Sequence, residues 1–291
     1  MKRIFSKKDI TNIIELYNSG KTSWQVAKEF GCAQSFVINT LKRNGIERRN
    51  NHSYTTKYVA NDEFFKIIDS EEKAYFLGLL YADGNVYVGR NGRSNEISIA
   101  LQENDIDILE KFKNIISPLS KLKFIDYGKK GWKNQYLLKI NSKTICNQLI
   151  QLGCVQNKSL ILQWPEYIKD INLQRHFIRG YSDGDGSIYY YKKYINKNNI
   201  LEWRWQITST SFFCNNVKNI IENLLHIHCI VGLSSPKSNN ITTTLSIGGN
   251  KQVKIILDWL YKDVNIYMKR KYNKYMDFLN NQSSQSFSTN I

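Results

Sequence analysis

One short phrase occurs twice in this chain. FLGLLYADG stands at residues 76–84 and IRGYSDGDG at 178–186. Each is a short apolar run with small residues four apart: Gly78 and Ala82 in the first, Gly180 and Gly184 in the second. Each closes in Asp-Gly. That places Asp83 and Asp185 at the C-terminal end of a helix, with a glycine at C′. The helix macrodipole is negative there, so an anion costs a few tenths to about 1 kcal/mol relative to a cation. Two carboxylates so placed point to something positive beside them.

Downstream segments pair in the same way. FKNII at 112–116 matches VKNII at 217–221, and LKIN at 138–141 matches LSIG at 245–248. Leu149 and Leu152 match Leu257 and Leu260. The offset grows slowly, from 102 at the aspartates through 105 and 107 to 108. Loop insertions in a duplicated unit produce such a series. Each half then reads as helix, two strands, helix, two strands, helix. The first-half helices fall at 74–82, 106–116 and 142–152, the second-half helices at 174–182, 212–225 and 251–260. The strands fall at 86–88, 96–101, 122–127 and 136–140, then at 187–194, 203–208, 228–233 and 242–247. The expected fold class is α+β: two pseudo-symmetric αββαββα halves with antiparallel sheets, preceded by a small all-α domain.

The strands alternate. Trp203, Trp205 and Ile207 take one face, Arg204, Gln206 and Thr208 the other; Leu122 and Phe124 oppose Lys121 and Lys123. Tyr189, Tyr190 and Tyr191 must divide between faces, so part of that run is expected in the core. A sheet with one apolar and one basic-polar face can pack helices behind it and lay the other face along a polyanion. The net charge of +16 points the same way. No apolar run approaches the roughly 20 residues of a membrane span, and the N-terminus has no signal-peptide character. The five scattered cysteines read as reduced thiols. The expectation is therefore a cytoplasmic or organellar protein, neither secreted nor membrane-bound.

The first fifty residues read as three helices, at 8–19, 23–30 and 34–43. Thr22 caps the second, small Ala27 admits a close crossing, Gly31 makes the turn, and Val37 packs beneath. This is helix-turn-helix spacing. Gln34, Ser35, Asn39, Thr40 and Arg43 are its candidate contacts to bases or phosphates. The basic stretch Arg48, Arg49 and Lys57 is either a minor-groove arm or a solvated linker. The organisation is then 1–47 helix-turn-helix, 48–60 linker, 61–165 first half, 166–280 second half and 281–291 disordered tail.

If the two phrase helices pack in parallel on their small-residue faces, their C-termini meet and Asp83 approaches Asp185. Two carboxylates cannot both stay ionised at that distance unaided. A divalent cation relieves the repulsion, and a hard, oxygen-rich site suits Mg²⁺. Shared with a phosphodiester, such an ion serves in-line phosphoryl chemistry. Only the last Asp is present in both copies, because Tyr81 stands where the second phrase has Asp183. Asp183 is thus read as structural. His226, His228 and Cys229 read as a packed turn.

The paired phrases, the repeat order, HFIRGYSDGDGSI and the closing WLYKDVNIYMKRKYNKY resemble the single-chain, two-motif LAGLIDADG homing endonucleases. The resemblance spans roughly residues 60–280. It implies a saddle over double-stranded DNA, a monomer with pseudo-two-fold symmetry, and motif helices at the interface between halves. It implies a metal site of Mg²⁺ or Mn²⁺ on Asp83 and Asp185, with Gly84 and Gly186 beside them, and a double-strand break with short 3′ overhangs. It also implies a basic residue near the end of each half. Lys158 fits the first; Lys269, Arg270 and Lys271 compete for the second, with Lys271 favoured. DNA contacts would come from the sheet faces and hairpins: Arg90, Arg93, Lys121, Lys123, Lys129, Lys130, Lys133, Lys193, Arg204 and Gln206. Tyr81 and Arg179 depart from the family's pattern. Arg179 on an interface helix needs a partner or must point outward. The competing functions are an intron maturase, with intron RNA as partner, and a non-cleaving DNA-binding regulator.

Overall fold

Capping sets the first helices. Ser6 and Asp9 form a capping box ahead of α1 (Lys7–Asn18), and Thr22 and Gln25 form another ahead of α2 (Ser23–Phe30). Each box satisfies amide groups that a helix start leaves unpaired. Gly31 closes α2 in the left-handed region at φ 60°, and α3 (Gln34–Arg43) follows. A computed structural model describes residues 5–47, 59–89, 94–128, 131–195, 198–234 and 242–287 of the chain. It forms two units, Met1–Lys57 and Tyr58–Ile291.

In the first unit Ile13, Tyr17, Val26, Ala27, Val37 and Leu41 form the core. Gln34, Ser35, Asn39 and Arg43 lie exposed on α3. Thr40 corrects the expectation: it is buried. Three residues beyond Val37 and beside Leu41, it shares their inward face. Arg48, Arg49 and Lys57 lie outside the described residues.

The second unit repeats one architecture. Its first half runs α4 (Glu71–Asp83), β1 (Gly84–Val88), β2 (Asn95–Gln102), α5 (Ile106–Ile116), β3 (Lys123–Ile125), β4 (Gln135–Asn141) and α6 (Lys143–Gln151). Its second half runs α7 (Ile171–Asp185), β5 (Gly186–Ile195), β6 (Asn198–Ser209), α8 (Ser211–Leu225), β7 (Ile230–Leu233), β8 (Thr243–Gly248) and α9 (Asn250–Tyr261). The sheets are ordered β1-β2-β4-β3 and β5-β6-β8-β7, with every pair antiparallel. The registers match too, since Gly84 pairs with Ile99 and Gly186 with Ile207.

Strand alternation puts Ile97, Ile99 and Leu101 in one core, and Trp203, Trp205 and Ile207 in its counterpart. The opposite faces stay open. Two details differ from the sequence reading. Phe124 is 47% exposed, because β3 is a three-residue edge strand, where Phe124 packs on Tyr136. None of Tyr189, Tyr190 and Tyr191 is buried. Residues 198–203 of β6 pair with β5 alone, whereas 204–209 also pair with β8. Tyr190 lies in this two-stranded part of the sheet, its ring tilted against that of Trp203 with centroids 4.8 Å apart.

A last helix, α10 (Lys269–Phe287), has no counterpart in the first half. It continues through 281–287, where the sequence reading expects disorder. NQSSQSF contains no Pro or Gly, so nothing in it breaks the helix. Among the described residues, no helix is long and apolar enough to cross a membrane. All five cysteines are free thiols.

Candidate active site

Glycine makes the seam between the halves. A Cβ on Gly78 would lie 2.1 Å from the Phe177 carbonyl oxygen, and one on Gly180 would lie 2.0 Å from that of Tyr75. The contacts are reciprocal: Phe177 stands to Gly180 as Tyr75 stands to Gly78. This is a pseudo-two-fold axis running between α4 and α7, whose backbones touch. Farther down, a Cβ on Gly184 would meet Ala82 Cβ at 2.4 Å and Asp83 Oδ2 at 2.7 Å. All four expected interface residues thus lie in the seam, and it delivers the Asp83 carboxylate to the end of α7.

Asp83 and Asp185 are the last residues of their helices. The glycines that follow are extended, not left-handed: φ is −78° at Gly84 and −88° at Gly186. They are glycine for want of room. A Cβ would lie 2.6 Å from the Leu80 carbonyl oxygen at Gly84, and 2.4 Å from that of Ser182 at Gly186. Each helix therefore passes straight into a strand, with its carboxylate at the junction.

A lysine reaches each junction. Lys158 Nζ donates to the Gly84 carbonyl and Lys271 Nζ to the Gly186 carbonyl. Both lysines are buried. They come from unlike supports: Lys158 opens a 3₁₀ turn after left-handed Asn157, and Lys271 lies in the first turn of α10. Burial pushes the Asp83 carboxyl up to about 6, assisted by the Asp185 charge and opposed by Arg270, Lys158 and Lys271. Burial likewise raises the Asp185 carboxyl against Lys158, a Tyr181 hydrogen bond and Lys271. Lys271 is held down to about 8 by burial and then by Arg270. The site is an acid pair flanked by two buried lysines, with Asp83 half-buried and Asp185 exposed.

The neighbouring candidates have other work. Lys269 pairs with Asp107 at the surface. Arg270 Nε–H is shared between the two Asp105 carboxylate oxygens, at 2.8 and 3.1 Å. Asp183 is fully buried and accepts from Tyr75 Oη at 2.6 Å, Tyr261 Oη at 2.7 Å and the Met268 amide at 2.7 Å. At the equivalent place Tyr81 donates to the Leu152 carbonyl, so donor and acceptor exchange places between the halves. Arg179 is fully buried and inward. It bonds Glu71 at 2.7 Å, the carbonyls of Ile266 and Leu260, and His176 Nδ1.

The open sheet faces carry Arg204, Gln206 and Lys193, with Tyr189 and Tyr191 beside them. Lys193 is paired with Glu202 at 2.6 Å. Lys121 and Lys123 are not buried, and Lys133 helps to line a shallow cleft with Gln102, Tyr127, Trp132 and Gln135. Arg90, Arg93, Lys129 and Lys130 lie outside the described residues. Sequence reasoning passed over Lys139, exposed on the open face of β4 and bonded to Glu96; its alternation with Leu138 and Ile140 was the available signal. His226 closes α8 at φ 52° and His228 faces Glu222. No cluster of three or more His, Cys, Asp or Glu that could hold a metal occurs among the described residues.

No family model matches the sequence, and no curated protein is similar to it in sequence. Solved structures are similar in shape. Meganuclease I-SmaMI bound to uncleaveable DNA aligns with a TM-score of 0.54 at 13% identity, over 74% of this chain and 91% of that one. I-GzeII, a LAGLIDADG homing endonuclease in complex with its DNA target, aligns at 0.53 with 12% identity, over 74% and 91%. The fold is that of the LAGLIDADG homing endonucleases. I-SmaMI bound to uncleaved DNA in the presence of calcium ions aligns at 0.52 with 15% identity, over 74% and 92%. The two repeated phrases of this chain form the helices at the seam of that fold.

Proposed function

We propose that this protein is a site-specific double-strand DNA endonuclease, acting as a monomer and leaving short 3′ overhangs. The observation that carries this reading is the meeting of Asp83 and Asp185 at the foot of the α4–α7 seam, with one buried lysine on each junction. The resemblance in fold to DNA-bound endonucleases supports it, as do the +16 charge and the polar open faces.

A divalent ion fits the donor set. Two carboxylates, both raised by burial and Asp83 also by the Asp185 charge, are hard oxygen donors in need of a cation. The carbonyls of Gly84 and Gly186 accept from lysines, so Asp83 and Asp185 are the side chains that would hold the ion. With only two protein carboxylates, most of the coordination falls to water and phosphate oxygens, a pattern Mg²⁺ favours. Bound Mg²⁺ or Mn²⁺ supplies Lewis-acid polarisation and a more acidic water. Lys158 and Lys271 each hold a positive charge beside one carboxylate, where charge grows on a phosphate. The open faces bind and orient the duplex: Arg204 and Gln206 reach base edges, and Lys121, Lys123 and Lys133 reach phosphates.

The test is a cleavage selection on a randomised DNA library with Mg²⁺, run beside Asp83→Asn and Asp185→Asn. The expected result is a recovered long target, cut by the native chain and only bound by the variants. Binding without cutting by the native protein would refute the endonuclease reading in favour of a maturase or regulator.

A further inference from the structure

The lysine-bearing segment of each half is gripped by the other half, but unequally. Asp105, just before α5 in the first half, is buried and holds Arg270, the neighbour of Lys271, by an ion pair in which Arg270 Nε–H is shared between both carboxylate oxygens. Its counterpart in the second half is Thr210, just before α8, at the same offset of 105 that relates FKNII to VKNII. Thr210 donates a single neutral hydrogen bond, 2.6 Å, to the Leu162 carbonyl in the segment after Lys158. The position matching Arg270 is Asn157. Arg270 also donates to the Asp183 carbonyl at 3.3 Å, and the Asp183 side chain accepts the Met268 amide at the start of α10. The start of α10 is thus fastened at Met268 and Arg270, just ahead of Lys271, whereas Lys158 sits on a short turn.

We propose that Asp105 and Arg270 are positioning residues for Lys271 alone, so that the two active sites are held by unequal clamps. A charge-assisted contact holds geometry more firmly than one neutral bond. Loosening this clamp should disable one junction and leave the other, turning a double-strand cutter into a nickase for one fixed strand. That consequence rests on the endonuclease reading; the clamp itself does not.

The first test needs neither DNA nor metal. Acetic anhydride labelling of the intact protein, read by mass spectrometry, compares the native chain with Asp105→Asn and Arg270→Lys. Glu71→Gln, which weakens the other cross-half ion pair to Arg179, is the control. Arg270→Lys keeps the charge and so guards against loss of fold. The labelling rate of Lys271 should rise on the order of tenfold in both variants, as release of a buried pair allows. Lys158 should not change, and Glu71→Gln should move neither lysine. Equal rises at both lysines, or none at Lys271, would overturn the proposal. On a plasmid bearing the selected target, both variants should accumulate nicked circles cut in one strand. If the native protein cuts and the variants slow equally on both strands, the unequal clamp is wrong. If the native protein fails to cut, the endonuclease reading fails and the labelling result stands alone.

Discussion

Replacing Asp83 with Asn should stabilise the metal-free protein. The Asp83 carboxyl sits near 6 when folded, against an ordinary value of 3.8. At 1.36 kcal/mol per pKa unit, that gap is worth roughly 3 kcal/mol. The sign follows from linkage. Between pH 3.8 and about 6 the folded protein binds this proton and the unfolded chain does not, so this group's contribution to stability falls as pH rises. Above pH 6 the whole cost of holding a buried anion beside Asp185 is present; below pH 3.8 it is gone. Asn removes the cost at every pH. Urea denaturation in EDTA at pH 7 should therefore show Asp83→Asn more stable than the native protein by roughly 3 kcal/mol. The advantage should shrink to nothing by about pH 4. Mg²⁺ should close the gap from the other side, since a ligand at a hundred times its dissociation constant adds about 2.7 kcal/mol to the native protein. A variant that is less stable than the native chain in EDTA at pH 7, or a difference that ignores pH, would refute the account of a strained acid pair awaiting a cation.

Other substitutions probe the frame. Gly180→Ala forces a Cβ onto the Tyr75 carbonyl and should cost about 3 kcal/mol by thermal or urea denaturation; Gly232→Ala, with open space around it, should stay within about 0.5 kcal/mol. Arg179→Met strands Glu71 and should cost about 3–5 kcal/mol, read by the urea midpoint. In the first unit, Thr40→Ala should lower its stability by about 1 kcal/mol while leaving DNA affinity alone. Asn39→Ala should do the reverse in a gel-shift titration.

The repeat was legible because its halves keep hydrophobic period and small residues in register. The helix at Ile106–Ile116 turns Ile108, Leu109, Phe112 and Ile116 inward at helical spacing and ends where the sequence says. What lay beyond reach was set by tertiary packing. The inward turn of Thr40 depends on how far the apolar face of α3 wraps. The exposure of Tyr190 depends on how far the two-stranded part of the sheet extends. The helix α10 has no partner in the first half, so the repeat offers no template for it, and the polar composition of its last turns, from 281, reads as tail. Spacing alone could not choose among Lys269, Arg270 and Lys271. What distinguishes them is that Asp107 occupies the first, Asp105 the second, and the Gly186 carbonyl the third.

The seam has a consequence for how such a chain can change. Its closest approaches, at Gly78 and Gly180, are to carbonyl oxygens, which every residue possesses. A glycine meeting a backbone does not register which side chain that backbone carries. Substitutions elsewhere on α4 and α7 can accumulate without the halves losing their means of meeting. A half taken from a distant relative with the same glycine register would keep this backbone contact, and would need its own replacements for the Glu71–Arg179 and Asp105–Arg270 pairs that also join the halves. Inheritance could therefore alter one half at a time, each free to acquire its own preferences while the join stays common property.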